Sequence, residues 1–145
     1  MQRFTIDEFR QRAVTSFAFL ETRGFHRAPH LEETRSTYGT VVYVGKHVGF
    51  VFSLDVRDQC VDAEVVKVRD GQLRHNLDGG YSSDIFGHLV EHIGYRGNPA
   101  PGVESQPSQA AGYPLQLMID GWANLLKQAG QSLLEDRPDS LPKGT

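Results

Sequence analysis

The sequence contains little cysteine and no long apolar run, and each of these absences excludes a class of protein. Cys60 is the only cysteine in 145 residues, so the chain can form no internal disulfide and no metal site built from several cysteines. We expect its thiol to be buried and unreactive. No apolar stretch approaches the roughly 18 residues that cross a membrane, and the charged segment MQRFTIDEFRQRAVTSF lacks the apolar centre of a secretory signal. The sequence therefore predicts a cytoplasmic protein without a membrane partner.

The sequence also lacks a cluster of positive charge. Its net charge is −3, and residues 1–54 carry +2, residues 55–91 carry −4 and residues 92–145 carry −1. Because binding to nucleic-acid phosphates needs clustered cations, we do not expect nucleic acid as a partner. The acidic middle of the chain favours a basic partner instead. No phosphate-binding loop or nucleophile elbow is present, and no cofactor is expected.

Length and composition predict one α+β domain. With 39% hydrophobic and 23% charged residues, a chain of this length can bury one core but not two. We expect the domain to span residues 1–136, with a long loop at 97–112, and the polar tail 137–145 to be disordered. The expected architecture is an N-terminal helix, an antiparallel β-meander of about four strands, and two C-terminal helices packed on the sheet.

The first helix is predicted over residues 6–23. Thr5 and Glu8 have the spacing of a capping box, and apolar residues then repeat at helical spacing until Gly24 supplies a stop. The meander follows, because the hydrophobic period changes to two between residues 40 and 74. Its strands are predicted at 40–44, 48–56 and 61–69, followed by a type I′ turn at Asp70-Gly71, a short strand near Leu73, and a further edge strand considered within 31–38.

Two more helices are predicted after the sheet. Ser82 or Ser83 can cap a helix through the segment DIFGHLVEHIGY. Pro114 suits the first turn of a last helix, along which Trp122 belongs to an apolar stripe that continues to Leu133. Core packing is the expected role of that stripe.

The segment HLVEH, residues 88–92, matches the H-x-x-E-H pattern of one class of zinc hydrolases. A hydrolytic zinc site needs a third protein ligand and a cleft that both histidines face. On a helical wheel, His88, Glu91 and His92 fall outside the apolar arc, on the solvent side or at its border. We therefore expect an exposed histidine pair beside a glutamate, and no catalytic residue or metal ligand is assigned.

The hairpin LDVRDQCVDAEV, residues 54–65, is the most informative surface feature. If Val56 and Val61 both face the core, Asp55 lies opposite Asp62, which places like charges across a strand pair and destabilises it. Glu64 then adds a third carboxylate to the same outer face. The predicted partner-binding residues lie on this face and in the turn of the hairpin. They form an apolar set, Val51 and Val66, and a charged set, Asp55, Arg57, Asp58, Asp62 and Glu64.

Two alternatives to this binding surface remain open. A helix could cover the valines while Arg57, Lys67 or Arg69 screens the acids. A register shift of one residue would also remove the contact between Asp55 and Asp62.

The order of elements carries a resemblance to a known class. A helix ending in LETRGF precedes the meander TYGTVVYVGKHVGFVFSLDVRDQCVDAEVVKV, and helices follow. This pattern, over residues 4–93, resembles the small cytosolic immunity proteins of bacterial polymorphic-toxin and contact-dependent inhibition systems. The resemblance implies tight, stoichiometric binding of one cognate toxin and no enzymatic activity. The long loop and the last helix have no counterpart in the resemblance.

The expected partner is therefore a cognate protein toxin, and a basic one suits the charge of the hairpin. The expected oligomeric state is a monomer or weak dimer. A secretion chaperone for an effector protein is the alternative binding class, and a zinc hydrolase that uses HLVEH is the alternative enzyme class.

Overall fold

The computed structural model describes residues 3–97 and 114–142. Its helices are α1 (Ile6–Ser16), α2 (Phe19–Thr22), α3 (Ile85–His88, continued by a π-helical turn at Leu89–Ile93), α4 (Leu115–Ala129) and α5 (Gln131–Leu134). Its strands are β1 (His26–Arg27), β2 (Thr34–Arg35), β3 (Tyr38–Val44), β4 (Val48–Asp55), β5 (Cys60–Arg69), β6 (Gln72–Arg74) and β7 (Ser82–Asp84). Of the expected loop at 97–112, only residue 97 lies within the described residues.

The strands form one antiparallel sheet in the order β1-β3-β4-β5-β6, in which β2 also pairs with β3 and β7 also pairs with β5. The predicted α+β class and the central meander are confirmed. The Asp70-Gly71 turn is also confirmed, since both residues have positive φ, 54° and 74°, as a type I′ turn requires. The two-residue strands β1 and β2 and the short β7 extend both sides of the meander.

One face of the sheet carries the hydrophobic core. Alternate residues of β4 point into it, and Phe52 stacks on Phe17 with ring centroids 3.7 Å apart. α1 packs against β3 and α4, and α4 packs against β5. Trp122 of α4 is buried, and its indole Nε1–H donates to the carbonyl oxygen of Val61 at 2.9 Å. This hydrogen bond satisfies the polar end of the largest core side chain.

The N-terminal helix is shorter than the sequence predicts. The Thr5 hydroxyl accepts a hydrogen bond from the Glu8 N–H at 3.1 Å, so the predicted cap is present, but α1 ends at Ser16. A turn at Phe17 and the short α2 follow, and Gly24 with φ of 94° ends the helical segment. This break lets the helical segment turn while Phe17 remains in the core.

The C-terminal region also differs from expectation. Pro114 lies at the N-cap of α4, and Gly130 separates α4 from α5, so Leu133 belongs to a second short helix. The expectation of a disordered tail from residue 137 is wrong for residues 137–142, because Leu141 is buried in the core and the Ser140 hydroxyl donates to the Ser132 carbonyl at 2.7 Å. Residues 143–145 lie outside the described residues.

Candidate protein-binding cleft on the open face of the sheet

The face of the sheet opposite the core is concave and holds a cavity of about 440 Å³, called the acidic cleft below. The lining residues come from three parts of the sheet. The central strands contribute Tyr38, Thr40, Val42, Val51, Ser53, Asp62 and Glu64; the segment before β3 contributes Leu31 and Glu33; and the elements beside β5 contribute Leu73, His75 and Asp84. The cleft combines apolar side chains with four carboxylates. It is therefore a concave surface of mixed chemistry, as protein-binding surfaces are.

The register of the β4–β5 hairpin differs from the prediction by two residues. Asp62 pairs with Ser53, and Asp55 pairs with Cys60, so the two aspartates are not opposite one another. The strands predicted at 48–56 and 61–69 leave a turn of four residues, 57–60. The observed turn also has four residues but begins one residue earlier, at Val56. Because a shift of two residues preserves the side-chain alternation, Asp55, Asp62 and Glu64 keep the outer face on which they were predicted.

Side chains of the turn explain this register. Asp55 Oδ1 accepts a hydrogen bond from the Asp58 N–H at 3.0 Å, which closes the turn locally. Gln59 adopts a positive φ of 52°, and its side-chain amide donates to the Val56 carbonyl at 2.8 Å and accepts from the Phe4 N–H at 2.7 Å. A glutamine in this role gives no distinctive sequence signal, so the sequence did not reveal the position of the turn.

Three carboxylates come together at the β5 side of the acidic cleft. Glu64 lies directly opposite Asp84 in the β5–β7 pair, and Asp62 is two residues away on the same face. Burial raises the pKa of Asp62, and the charge of Asp84 raises it further. Burial and the Asp84 charge also raise the pKa of Glu64, against a lowering effect of His75. The three groups therefore repel one another at neutral pH.

Little positive charge compensates these acids. Within residues 3–97 and 114–142, the one basic side chain at ion-pair distance from them is His75, whose Nδ1 lies 3.4 Å from Glu64 Oε1 and carries a charge only when the imidazole is protonated. Burial also raises the pKa of Asp84, although its carboxylate accepts the Gly87 N–H at 2.8 Å as the N-cap of α3, which lowers it. Among the described residues, the hydrogen-bond contact of Asp62 is a long one, from the Cys60 thiol at 3.8 Å. The cleft thus presents negative charge to whatever enters it.

The remaining predicted contact residues lie in different environments. Val51 is partly exposed in the cleft, whereas Val66 is completely buried and cannot contact a partner. Asp58 and Arg57 lie in the exposed turn at the end of β4. The Arg57 and Val56 carbonyls both accept hydrogen bonds from the Arg3 guanidinium. These turn residues border the sheet's open face and do not line the cleft.

Lys67 and Arg69 do not screen the carboxylates of the acidic cleft, so for these two residues the alternative is wrong. Both line a separate cavity at the opposite end of β5. Cys60 is buried as expected, and burial, reinforced by the neighbouring charge of Asp62, raises the pKa of its thiol to about 12. A thiol that stays protonated is a poor nucleophile.

Sequence reasoning missed Asp84, His75 and Tyr38. Asp84 falls in a segment assigned to the start of a helix, and only the pairing of Ser82–Asp84 with β5 turns it toward Glu64. The serines predicted as caps lie in β7 instead. His75 and Tyr38 stand at strand ends, where a single polar or aromatic residue carries no signal of its partner.

The HLVEH segment does not have the expected geometry. Glu91 and His92 are exposed as predicted, but His88 is only 1% exposed, so its predicted position at the solvent side is wrong. The segment adopts a π-helical turn, to which the spacing of an ideal α-helical wheel does not apply. In the same segment the apolar side chains of Val90 and Ile93 are 46% and 44% exposed.

His88 is held as a neutral side chain. Its Nδ1 lies 2.7 Å from the Tyr81 hydroxyl, and burial together with nearby His92 lowers its pKa to about 4. The ring centroids of His88 and His92 are 5.1 Å apart. In the described ranges, no group of three or more His, Cys, Asp or Glu side chains is arranged to hold a metal ion.

Over residues 3–97 and 114–142, no helix has both the length and the apolar character needed to cross a membrane. Comparison of the chain with protein-family models, with curated proteins and with solved structures finds no match.

Proposed function

We propose that this protein is an immunity protein that binds a cognate secreted bacterial toxin and neutralises it stoichiometrically, without catalysis of its own. The observation that carries the proposal is the acidic cleft, in which Asp62, Glu64 and Asp84 have raised pKa values and, among the described residues, His75 is the one basic side chain at ion-pair distance from them. The resemblance in the order of elements supports the same function.

The electrostatics favour a basic partner. Three carboxylates held on one concave face repel each other in the free protein, and a lysine or arginine from a partner removes that cost on binding. Charge complementarity of this kind mainly accelerates association and selects the partner. Toxins that degrade nucleic acid need basic active-site surfaces, so they suit this cleft best.

The apolar part of the cleft can contribute to binding affinity through burial of apolar surface. Leu31, Val51 and Leu73 line the same cavity as the carboxylates. A partner segment that inserts into the cleft can therefore bury apolar area while its cation pairs with an acid. The concave shape favours a protruding basic loop over a flat surface.

The first test is capture of the partner. The tagged protein is purified without chelators from its native bacterium, co-purifying proteins are identified by mass spectrometry, and zinc is measured in the same sample. We expect a stoichiometric partner with a toxin domain. Expression of that domain should stop growth, and co-expression of this chain should restore it. A partner whose toxicity is unchanged by co-expression would contradict the proposal and favour a secretion chaperone.

The second test locates the contact surface. The double variant Asp62→Lys/Glu64→Lys should weaken toxin binding by about tenfold or more, mostly through slower association. Asp55 is left unchanged because its carboxylate holds the turn. The matched control Glu91→Lys/Asp139→Lys makes the same change in net charge at exposed positions away from the cleft, and should change affinity by less than about twofold. Equal affinities for the wild type and the cleft variant, with both folded by circular dichroism, would exclude the acidic cleft as the site.

A further inference from the structure

We propose that a second cavity, at the end of the sheet near the β3–β4 and β5–β6 turns, binds a small phosphate-bearing anion. The cavity has a volume of about 370 Å³, and its charged lining consists of Lys46, Lys67, Arg69 and Arg137, with Asp70 as the one acid. We call it the basic cavity. Its charge is opposite to that of the acidic cleft, although both belong to the same sheet.

The cations converge from three separate parts of the chain. Lys46 lies in the β3–β4 turn, Lys67 and Arg69 end β5, and Arg137 follows α5. Arg137 pairs with Glu135 at 2.8 Å. Within the described ranges, no carboxylate lies within ion-pair distance of Lys46, Lys67 or Arg69. Folding therefore brings four cations to the lining of one cavity, where a bound anion would pair with them.

The backbone beside the cavity already binds one carboxylate. The N–H groups of Lys46, His47 and Val48 donate to the carboxylate oxygens of Asp136 at 2.6, 2.7 and 2.9 Å. A Cβ at Gly45 would overlap that carboxylate, so only glycine permits this approach. These three hydrogen bonds fix the start of the C-terminal segment against the β3–β4 turn. Arg137, the next residue, is thereby held at the cavity, which makes the cavity a built feature of the fold.

The number of cations favours phosphate over a single carboxylate. Three cations without acidic partners match a group that carries more than one negative charge, and an arginine guanidinium fits phosphate oxygens with two parallel hydrogen bonds. Val68 and Leu141 also line the cavity and can contact an organic part of the ligand. A long nucleic acid is disfavoured because the cations form a local cavity on a chain with a net charge of −3.

The test is calorimetric titration with pyrophosphate and, separately, with inorganic phosphate, in a phosphate-free buffer at constant ionic strength. We expect the wild type to bind pyrophosphate more tightly than inorganic phosphate. The variant Lys67→Gln/Arg69→Gln should weaken pyrophosphate binding by about tenfold or more. The control Arg23→Gln/Lys127→Gln removes the same charge from exposed positions outside the cavity and should change binding by less than about twofold.

Two results would overturn the proposal: no binding of either anion by the wild type at about 10 mM, or equal weakening in the variant and its control. If the double variant does not fold, the single variants Lys46→Gln and Arg69→Gln, at exposed positions, replace it. Toxin binding should be unchanged in all of them, because none touches the acidic cleft. The two proposals can therefore fail independently.

Discussion

The two faces of the sheet are built from the same strands but are stabilised in opposite ways. On the covered face, Phe52 stacks on Phe17 and the polar end of Trp122 finds a backbone partner, so burial and hydrogen bonding act together. On the open face, Asp62 and Asp84 are exposed and Glu64 is partly exposed. Partial loss of solvent and the charge of Asp84 raise the pKa of Asp62 and of Glu64, so the like charges on this face act against folding. The contrast indicates that the open face is arranged for something other than the stability of the free protein.

We expect the largest loss of stability from a substitution in the hydrophobic core on the covered face of the sheet. Trp122→Ala removes a buried indole and its hydrogen bond to Val61, and should lower the free energy of unfolding by about 3–5 kcal/mol. Trp122→Phe keeps most of the packing and should cost only about 1–2 kcal/mol, mainly for the lost hydrogen bond. Urea unfolding of both variants measures the difference. Equal losses would mean that the aromatic packing contributes little.

The pH dependence should separate the two regions. The pKa of His88 is lowered to about 4 in the folded state, from an ordinary value of 6.5. The unfolded state therefore binds more protons between these values, and this group contributes stability that is lost as the pH falls through them, of the order of 2–3 kcal/mol. The acids of the cleft have raised pKa values, so their effect has the opposite sign: they add stability as the pH falls.

Unfolding of the wild type and of His88→Gln, measured from pH 7 down to pH 4, isolates the histidine contribution. We expect His88→Gln to lose less stability over this range than the wild type. His92→Gln, at an exposed position in the same segment, should keep most of the wild-type pH dependence. The same slope in the wild type and in His88→Gln would show that His88 is not the group responsible.

We expect the smallest change in stability from removal of one negative charge on the open face of the sheet. Asp62→Asn removes one charge from the carboxylate cluster and should raise the free energy of unfolding at pH 7 by about 0.5–1 kcal/mol. The sign follows because a carboxylate whose folded pKa is raised destabilises the native state above that pKa. The exposed Asp139→Asn should stay within about 0.5 kcal/mol of the wild type. A less stable Asp62→Asn would remove the argument that the cleft is electrostatically strained.

If the proposed function is correct, Asp62→Asn should also weaken toxin binding while it stabilises the free protein. Opposite signs of the two effects in one variant would sharpen the contrast between the faces. Such a trade-off is typical of residues kept for binding.

Much of the fold could be predicted because its signals are local. The period of two in β3, β4 and β5 reflects which face each residue buries, and the Asp70-Gly71 turn needs residues that tolerate positive φ. The Thr5 cap is equally local, because its partner lies three residues away. The same alternation places Asp62 and Glu64 on one face of β5, because they are two residues apart on a single strand.

The remainder required the tertiary structure, because it depends on contacts between residues distant in sequence. The pairing of β7 with β5 brings Asp84 to Glu64, and the π-helical turn buries His88, which an ideal helical wheel places near solvent. The hydrogen bonds from the turn after β3 to the Asp136 carboxylate join segments about 90 residues apart, and the next residue, Arg137, lines the basic cavity. The sequence by itself determined the secondary structure of the meander and the acidity of its middle. Only folding decided which charges meet, because electrostatic repulsion depends on distance in space, and not on separation along the chain.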